Sequence, residues 1–151
     1  MMRMFQPPPF LSQVATTMCG KRCYFTRPVV NQLYFPETHE WFRYDEEKQV
    51  VTLGITEKEQ LRLGEIVFFA GNVVGTSIYR GNSIGIIEGS HDIKSIIAPC
   101  NGTIYGVNQE PVKHPELINL RAEKLWLISI KVSGFTTFPD YTTKEEYEKH
   151  Q

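Results

Sequence analysis

Acidic residues are missing from the first 36 positions of this chain, a stretch that holds Arg3, Lys21, Arg22 and Arg27. Cysteine is also scarce. Cys19 and Cys23 fall in the acid-free stretch and leave Cys100 alone in the remainder, which excludes a disulfide scaffold. Cys19 and Cys23 are four apart with no second Cys or His pair near them, which argues against a zinc site. No apolar run approaches the ~20 residues that span a bilayer, so the chain is not expected to cross a membrane. A net charge of -1 gives no electrostatic footprint for nucleic acid. A Gly-rich phosphate loop, a Cys/His pair at useful spacing and a Gly-x-Ser-x-Gly elbow are all absent. Nothing in the pattern points to an enzyme.

What is present suits one domain with a real core: 151 residues, 41% hydrophobic and 22% charged. Residues 1–32 form a basic N-terminal extension that also contains Ser12, Thr16, Thr17 and "QPPPF". Basic, hydroxyl-bearing and acid-free is the composition of a mitochondrial transit peptide, and Arg22-Cys23-Tyr24 suits a processing site. The prolines at 7–9 confine any amphipathic helix to 11–22. The alternative is a flexible basic tail without an address.

From Leu33 the texture becomes that of strands. An aromatic strand, an acidic turn at 45–48 and a β-branched strand at 50–55 come first. "ITEKEQLRLG" then predicts a short helix with Thr56 as N-cap, Glu59 as its capping-box partner and Gly64 as terminator. "EIVFFAG" reads as a buried strand. "VVGTSIYRGNSIGIIE" reads as two strands broken at Gly81-Asn82, "GTIYGVNQ" as another, and "KLWLISIKV" as one more buried strand. Pro115 opens a helical turn as its first residue. "TTKEEYEKH" offers two overlapping capping boxes, Thr142 with Glu145 and Thr143 with Glu146, for a C-terminal helix. Strands every 8–12 residues or so argue a mostly β sandwich or flattened barrel with short helices. The expected boundaries are 33–132 for this domain and 133–151 for a tail with the short helix.

The stretch "IIEGSHDIKSIIAPCNG" at 86–102 carries the functional question. It reads as strands at 83–88 and 95–98 joined by a polar tip, stopped by Pro99 and Gly102. Hairpins of this shape bear the swinging arm of lipoyl and biotin carriers on a tip lysine.

Several motifs then identify a resemblance. "THEW" at 38–41, "GIT" at 54–56, "LGEIVFF" at 63–69, "VGT" at 74–76 and "RGN" at 80–82 run in the order of the glycine cleavage H-protein family. "HPELIN" at 114–119, "WLISI" at 126–130 and "EEYEK" at 145–149 continue it. The resemblance covers about 33–149, one residue short between Asn119 and Trp126, where the usual Pro-Tyr and Gly are missing. It implies a lipoyl/biotinyl-carrier-like β-sandwich. It also implies partners: a glycine decarboxylase, an aminomethyltransferase and a dihydrolipoamide dehydrogenase, between which a lipoyl arm shuttles an aminomethyl group. The family bears that arm on the lysine of Glu-Ser-Val-Lys-Ala. With Glu88 and Pro99 aligned, Gly89 replaces serine, Ser90 replaces valine, His91 stands at the lysine and Asp92 at the alanine.

An arm needs a stable amide, and acyl-imidazoles hydrolyse, so His91 cannot hold one permanently. Lys94 is the only nearby amine. It lies three residues on, about 10 Å along a strand, and an odd offset turns it to the other face. Sliding the strand by three would turn Ile93, Ile96 and Ala98 away from the core. The expectation is therefore a degenerate hairpin (Glu88, Gly89, Ser90, His91, Asp92) with no lipoate. The module is expected to be non-catalytic, a structural or docking subunit of a larger mitochondrial assembly. The alternative is a working carrier with lipoate on Lys94; a third reading is a regulator occupying the H-protein dock. His91 is either a solvated loop residue or a pH-sensitive contact at a partner surface. His39 and His114 are placed in no metal site by local spacing. Cys100, beside Pro99, reads as a structural or idle thiol.

Overall fold

The computed structural model describes residues 32–134, 138 and 140–150. The extension, with Cys19, Cys23 and the expected helix at 11–22, lies outside the described residues. Among the described residues there are nine strands: β1 (Leu33–Phe35), β2 (Glu40–Asp45), β3 (Val50–Ile55), β4 (Ile66–Gly71), β5 (Ser77–Ile78), β6 (Ser83–Gly89), β7 (Ile93–Ile97), β8 (Gly102–Val107) and β9 (Ile128–Val132). All pairings are antiparallel, in a six-stranded sheet β1-β2-β3-β9-β8-β5 and a three-stranded sheet β4-β6-β7.

Period-two alternation builds the large sheet's side of the core, while register shifts in β4 and β6 interrupt it on the small sheet. Val51, Leu53, Ile104, Ile128 and Ile130 of the large sheet meet Ile66, Phe69, Ile84, Ile87 and Ile96 of the small one. β2 alternates too. Glu40 pairs with Ile55 and Phe42 with Leu53 on the inner face, while Trp41 lies on the outer face opposite Gly54. Two expectations fail on the small sheet. "EIVFFAG" is not buried throughout, because a bulge between Ile66 and Phe68 leaves both Val67 and Phe68 exposed. Ile93 is not a core residue either; it is 53% exposed, and the inward residues of β7 are Lys94 and Ile96.

Among the described residues four short helices follow the strands. In α1 (Glu57–Leu63), the Thr56 hydroxyl accepts from the Glu59 N–H at 3.1 Å and Gly64 ends the helix at φ 85°. Only half of the expected capping box forms: the Thr56 N–H donates to the His39 carbonyl, and the Glu59 carboxylate turns to Arg62 instead. The strand read through Gln109 ends at Val107, because Asn108 caps a helix there, α2 (Gln109–Lys113). Pro115 is the N-cap of α3 (Glu116–Arg121) rather than its first residue. In α4 (Lys144–Lys149) the Thr143–Glu146 box forms. Thr142 pairs with Tyr34 through two backbone hydrogen bonds, and Tyr147 stacks on Tyr34 at 4.9 Å. No described helix is long and apolar enough to cross a membrane.

Candidate functional site

The β6–β7 hairpin turns at Ser90, His91 and Asp92, with Glu88 opposite Ile93 and Ile87 opposite Lys94. The Gly89 N–H donates to the Asp92 carbonyl at 2.9 Å and closes the turn. The tip leans on the end of α1. The His91 N–H donates to the Leu63 carbonyl at 2.8 Å and the Ser90 N–H to that of Glu65 at 2.9 Å. The Glu65 N–H returns a bond to the Ser90 hydroxyl at 3.1 Å. One carbonyl left open at the helix C-terminus is satisfied by this tip.

Glycine makes the approach possible. A Cβ on Gly89 would strike the Leu63 carbonyl, and one on Gly64, already at positive φ, would strike the Ser90 hydroxyl and the His91 ring. The serine expected at Gly89 from the family pattern does not fit against α1. His91 itself is exposed at the tip.

Beneath the tip lies a group of five charges. Lys94 points inward, its side chain only 11% exposed. Its Nζ donates to the Thr38 carbonyl at 2.8 Å and stands 3.3 Å from Glu40 Oε2 and 3.5 Å from Glu59 Oε1. Arg62 continues the chain of charges. Its guanidinium donates through Nε to Glu59 Oε2 at 2.9 Å and through Nη2 to Oε1 at 2.8 Å, and Nη1 reaches Asp92 Oδ2 at 2.6 Å. Glu40 comes from β2, Glu59 and Arg62 from α1, Asp92 and Lys94 from the hairpin. The seat therefore ties the small sheet to the large one at the mouth of the core.

Three carboxylates face two cations here, and Glu40 and Glu59 are both buried while Asp92 is exposed. Burial raises the Glu40 carboxyl to about 7 against the pull of Lys94, and Oε2 has no aligned hydrogen bond. With Glu40 protonated the five groups balance. Glu59 goes the other way: burial pushes it up, but the Arg62 fork and Lys94 outweigh that and hold it below the ordinary range. Arg62 also lowers Asp92. His39, which enters the seat's rim at φ 56°, is lowered by burial and shares a 2.7 Å hydrogen bond with the Tyr147 hydroxyl.

The other sequence candidates lie apart. Cys100 is buried and its thiol is pushed up to about 11 by that burial, which keeps it protonated and inert. His114 is exposed beside Glu116 at 3.4 Å. Among the described residues no group of three or more His, Cys, Asp or Glu could hold a metal ion.

The geometry bears on lipoate, the group the hairpin shape implies. The tip offers an imidazole where an amine is needed. The one lysine of the hairpin points into the protein with its ammonium held by a carbonyl and two carboxylates. In this arrangement the residues do not fit an attached arm. Sequence reasoning named Lys94 and Asp92 but missed Thr38, Glu40, Glu59 and Arg62 as their partners. No local signal points to them, because residues 38, 40, 59 and 62 share no spacing with residue 94.

Comparison with known proteins agrees with the fold. The family model described as glycine cleavage H-protein matches residues 33–151. The glycine cleavage system H protein of Legionella pneumophila (strain Corby) is 33% identical over 120 residues, covering 79% of this chain and 94% of the relative. That of Burkholderia ambifaria (strain MC40-6) is 36% identical over 117 residues, covering 78% and 92%. The crystal structure of a glycine cleavage system H protein from Mycobacterium marinum superposes with a TM-score of 0.68 at 28% identity, over 80% of this chain and 95% of that one. A β-sandwich of this topology, matched over almost the whole length of its relatives, makes this chain a member of the glycine cleavage H-protein family.

Proposed function

We propose that this chain serves the glycine cleavage system in the place of an H protein, as a module that docks to its partners without a lipoyl arm of its own. Family membership over nearly the full length of the relatives supports the choice of system. The partners are then the glycine decarboxylase, the aminomethyltransferase and the dihydrolipoamide dehydrogenase, rather than an unrelated assembly. The site of action is mitochondrial, on the strength of the acid-free basic extension alone. No chemistry is assigned to the chain itself.

The observation that carries the armless reading is the seat of Lys94. Acylation needs a free, deprotonated amine exposed at the tip. Lys94 is neither free nor at the tip: its Nζ is held by the Thr38 carbonyl and lies between Glu40 and Glu59. The second reading, a working carrier with lipoate on Lys94, has the H-protein relatives in its favour. It requires Lys94 to leave Glu40, Glu59 and the Thr38 carbonyl and the hairpin to change register.

Intact mass of the protein isolated from its own cells, with fragmentation across 83–98, decides between them. An unmodified hairpin is the expected result. A lipoyl increment on Lys94 overturns the armless reading and restores the carrier.

A further inference from the structure

The outward face of the three-stranded sheet carries an apolar strip with a single carboxylate set in it. The pairing register places Phe68, Glu88 and Ile93 in one row across the three strands, and Ala70, Ile86 and Ser95 in the next. Phe68 is 47% exposed, Ile86 39% and Ile93 53%. Val67, 56% exposed, extends the strip, because the bulge leaves it and Phe68 both facing solvent. Scattered exposed apolar residues need no account, but these are neighbours on one sheet face. No described residue of the chain packs over them in the core clusters.

Glu88 decides what fits there. It stands half-buried between Phe68 and Ile93, and among the described residues it makes no ion pair and no side-chain hydrogen bond. The two nearest cations of the hairpin region, Lys94 and Arg62, are both committed to the seat on the opposite face. A second copy of the chain is a poor occupant, since a two-fold contact centred on this row sets Glu88 against Glu88. A partner that brings an arginine or lysine ringed by apolar side chains matches both features. The cation meets a carboxylate already partly stripped of water, and the apolar rim covers Phe68, Ile86 and Ile93.

We infer that the strip of Val67, Phe68, Ile86 and Ile93 around Glu88 is the docking surface for such a basic, apolar-rimmed protein partner. Ile93 adjoins the tip, so a partner seated there also covers the edge of the tip. The inference rests on the docking function proposed above and gives it a surface.

The test uses the full-length chain with purified glycine decarboxylase, aminomethyltransferase and dihydrolipoamide dehydrogenase from the same source, by calorimetric titration at low and high salt. The wild type is expected to bind at least one of them. The double variant Phe68→Ser with Ile93→Thr is expected to weaken that binding by more than about tenfold. Glu88→Gln, nearly isosteric and therefore safe for the fold, is expected to weaken it about threefold to tenfold and to flatten its salt dependence. If both variants bind as the wild type does, the strip is not the surface, and the docking function stands without it. If the wild type binds none of the three, both fall. If the wild type sediments as a dimer and the double variant as a monomer, the occupant is a second copy and the basic partner is overturned.

Discussion

Glu40 and Trp41 are neighbours on β2, yet they anchor two different clasps on opposite faces of the large sheet. Glu40 faces inward and meets Lys94 of the hairpin. Trp41 faces outward, fully buried under Tyr34 and Tyr147, with its indole N–H donating to the Ala122 carbonyl at 2.9 Å. Strand alternation alone sends the two side chains apart. Both clasps secure a peripheral element, the hairpin in one case and the C-terminal helix in the other, by different physics. The aromatic clasp works mainly through area removed from water, and its one titrating contact, His39 on the Tyr147 hydroxyl, is lowered by burial and so weakens it only in acid. The ionic one works through a charge count that changes near neutrality. A carrier-family hairpin held by charges is therefore the adjustable part of this molecule, and the C-terminal helix is the fixed part.

The contrast can be broken from either side. The largest expected effect belongs to Trp41→Ala, which removes a fully buried indole and leaves the Ala122 carbonyl unpaired. A loss of about 4–5 kcal/mol is expected by denaturant unfolding at pH 7. Lys94→Ala comes next, because it leaves Glu40 and Glu59 facing each other without their shared cation. About 3 kcal/mol is expected at pH 7, partly recovered in acid as Glu40 takes up a proton. Lys94→Met, which keeps the volume, should not do better at pH 7; recovery by Met would mean that Lys94 acts by packing rather than by charge.

The pH dependence has a sign that separates the two clasps. The Glu40 carboxyl stands at about 7 in the folded protein against 4.5 as its ordinary value. The folded state thus holds a proton that the unfolded state has lost, and stability contributed by Glu40 falls as pH rises from the ordinary value through about 7. Roughly 2–3 kcal/mol of the wild type's stability should disappear over that window, and Glu40→Gln should abolish the slope. Glu59 and Asp92, held low by Arg62, act in the opposite sense: their contribution is present at neutral pH and is lost only as pH falls below the ordinary carboxylate range. Melting temperature against pH for the wild type and Glu40→Gln reads both. An identical slope in the two proteins would show that Glu40 is ionised throughout.

The smallest effect on stability, and the most direct on function, is expected from His91→Lys. The side chain is exposed, so the fold should change by no more than about 0.5 kcal/mol. Expressed in cells that lipoylate H proteins, the variant should gain a lipoyl increment that the wild-type chain lacks. If the wild type gains it too, on Lys94, the seat described above opens in solution. If neither gains it, the tip fails for a further reason, and the close approach of Gly89 to α1 is the first to examine.

Much of this was legible in the sequence. Thr56, Gly64 and Thr143 declare helix ends by local chemistry, and the short apolar runs between glycines declare strands. The family motifs do the same for the fold as a whole. Val67 and Ile93 were misread because their hydrophobicity suggested burial, whereas a bulge and the register of the hairpin turn them outward. The helix at 109–113 was missed because Asn108 reads equally well as the end of a strand. None of the partners of Lys94 was legible: residues 38, 40, 59 and 94 share no local pattern, and Glu59 was assigned to a capping box that its own carboxylate abandons.

By itself the sequence determined the sandwich, its caps and turns, and the replacement of a tip lysine by His91. All of these depend on neighbouring residues or on short periodicities that the backbone enforces locally. Only the tertiary structure decided what became of Lys94. Its ammonium is held where strand β2, helix α1 and the hairpin converge, and attraction between charges acts across distance in space, whatever their separation along the chain.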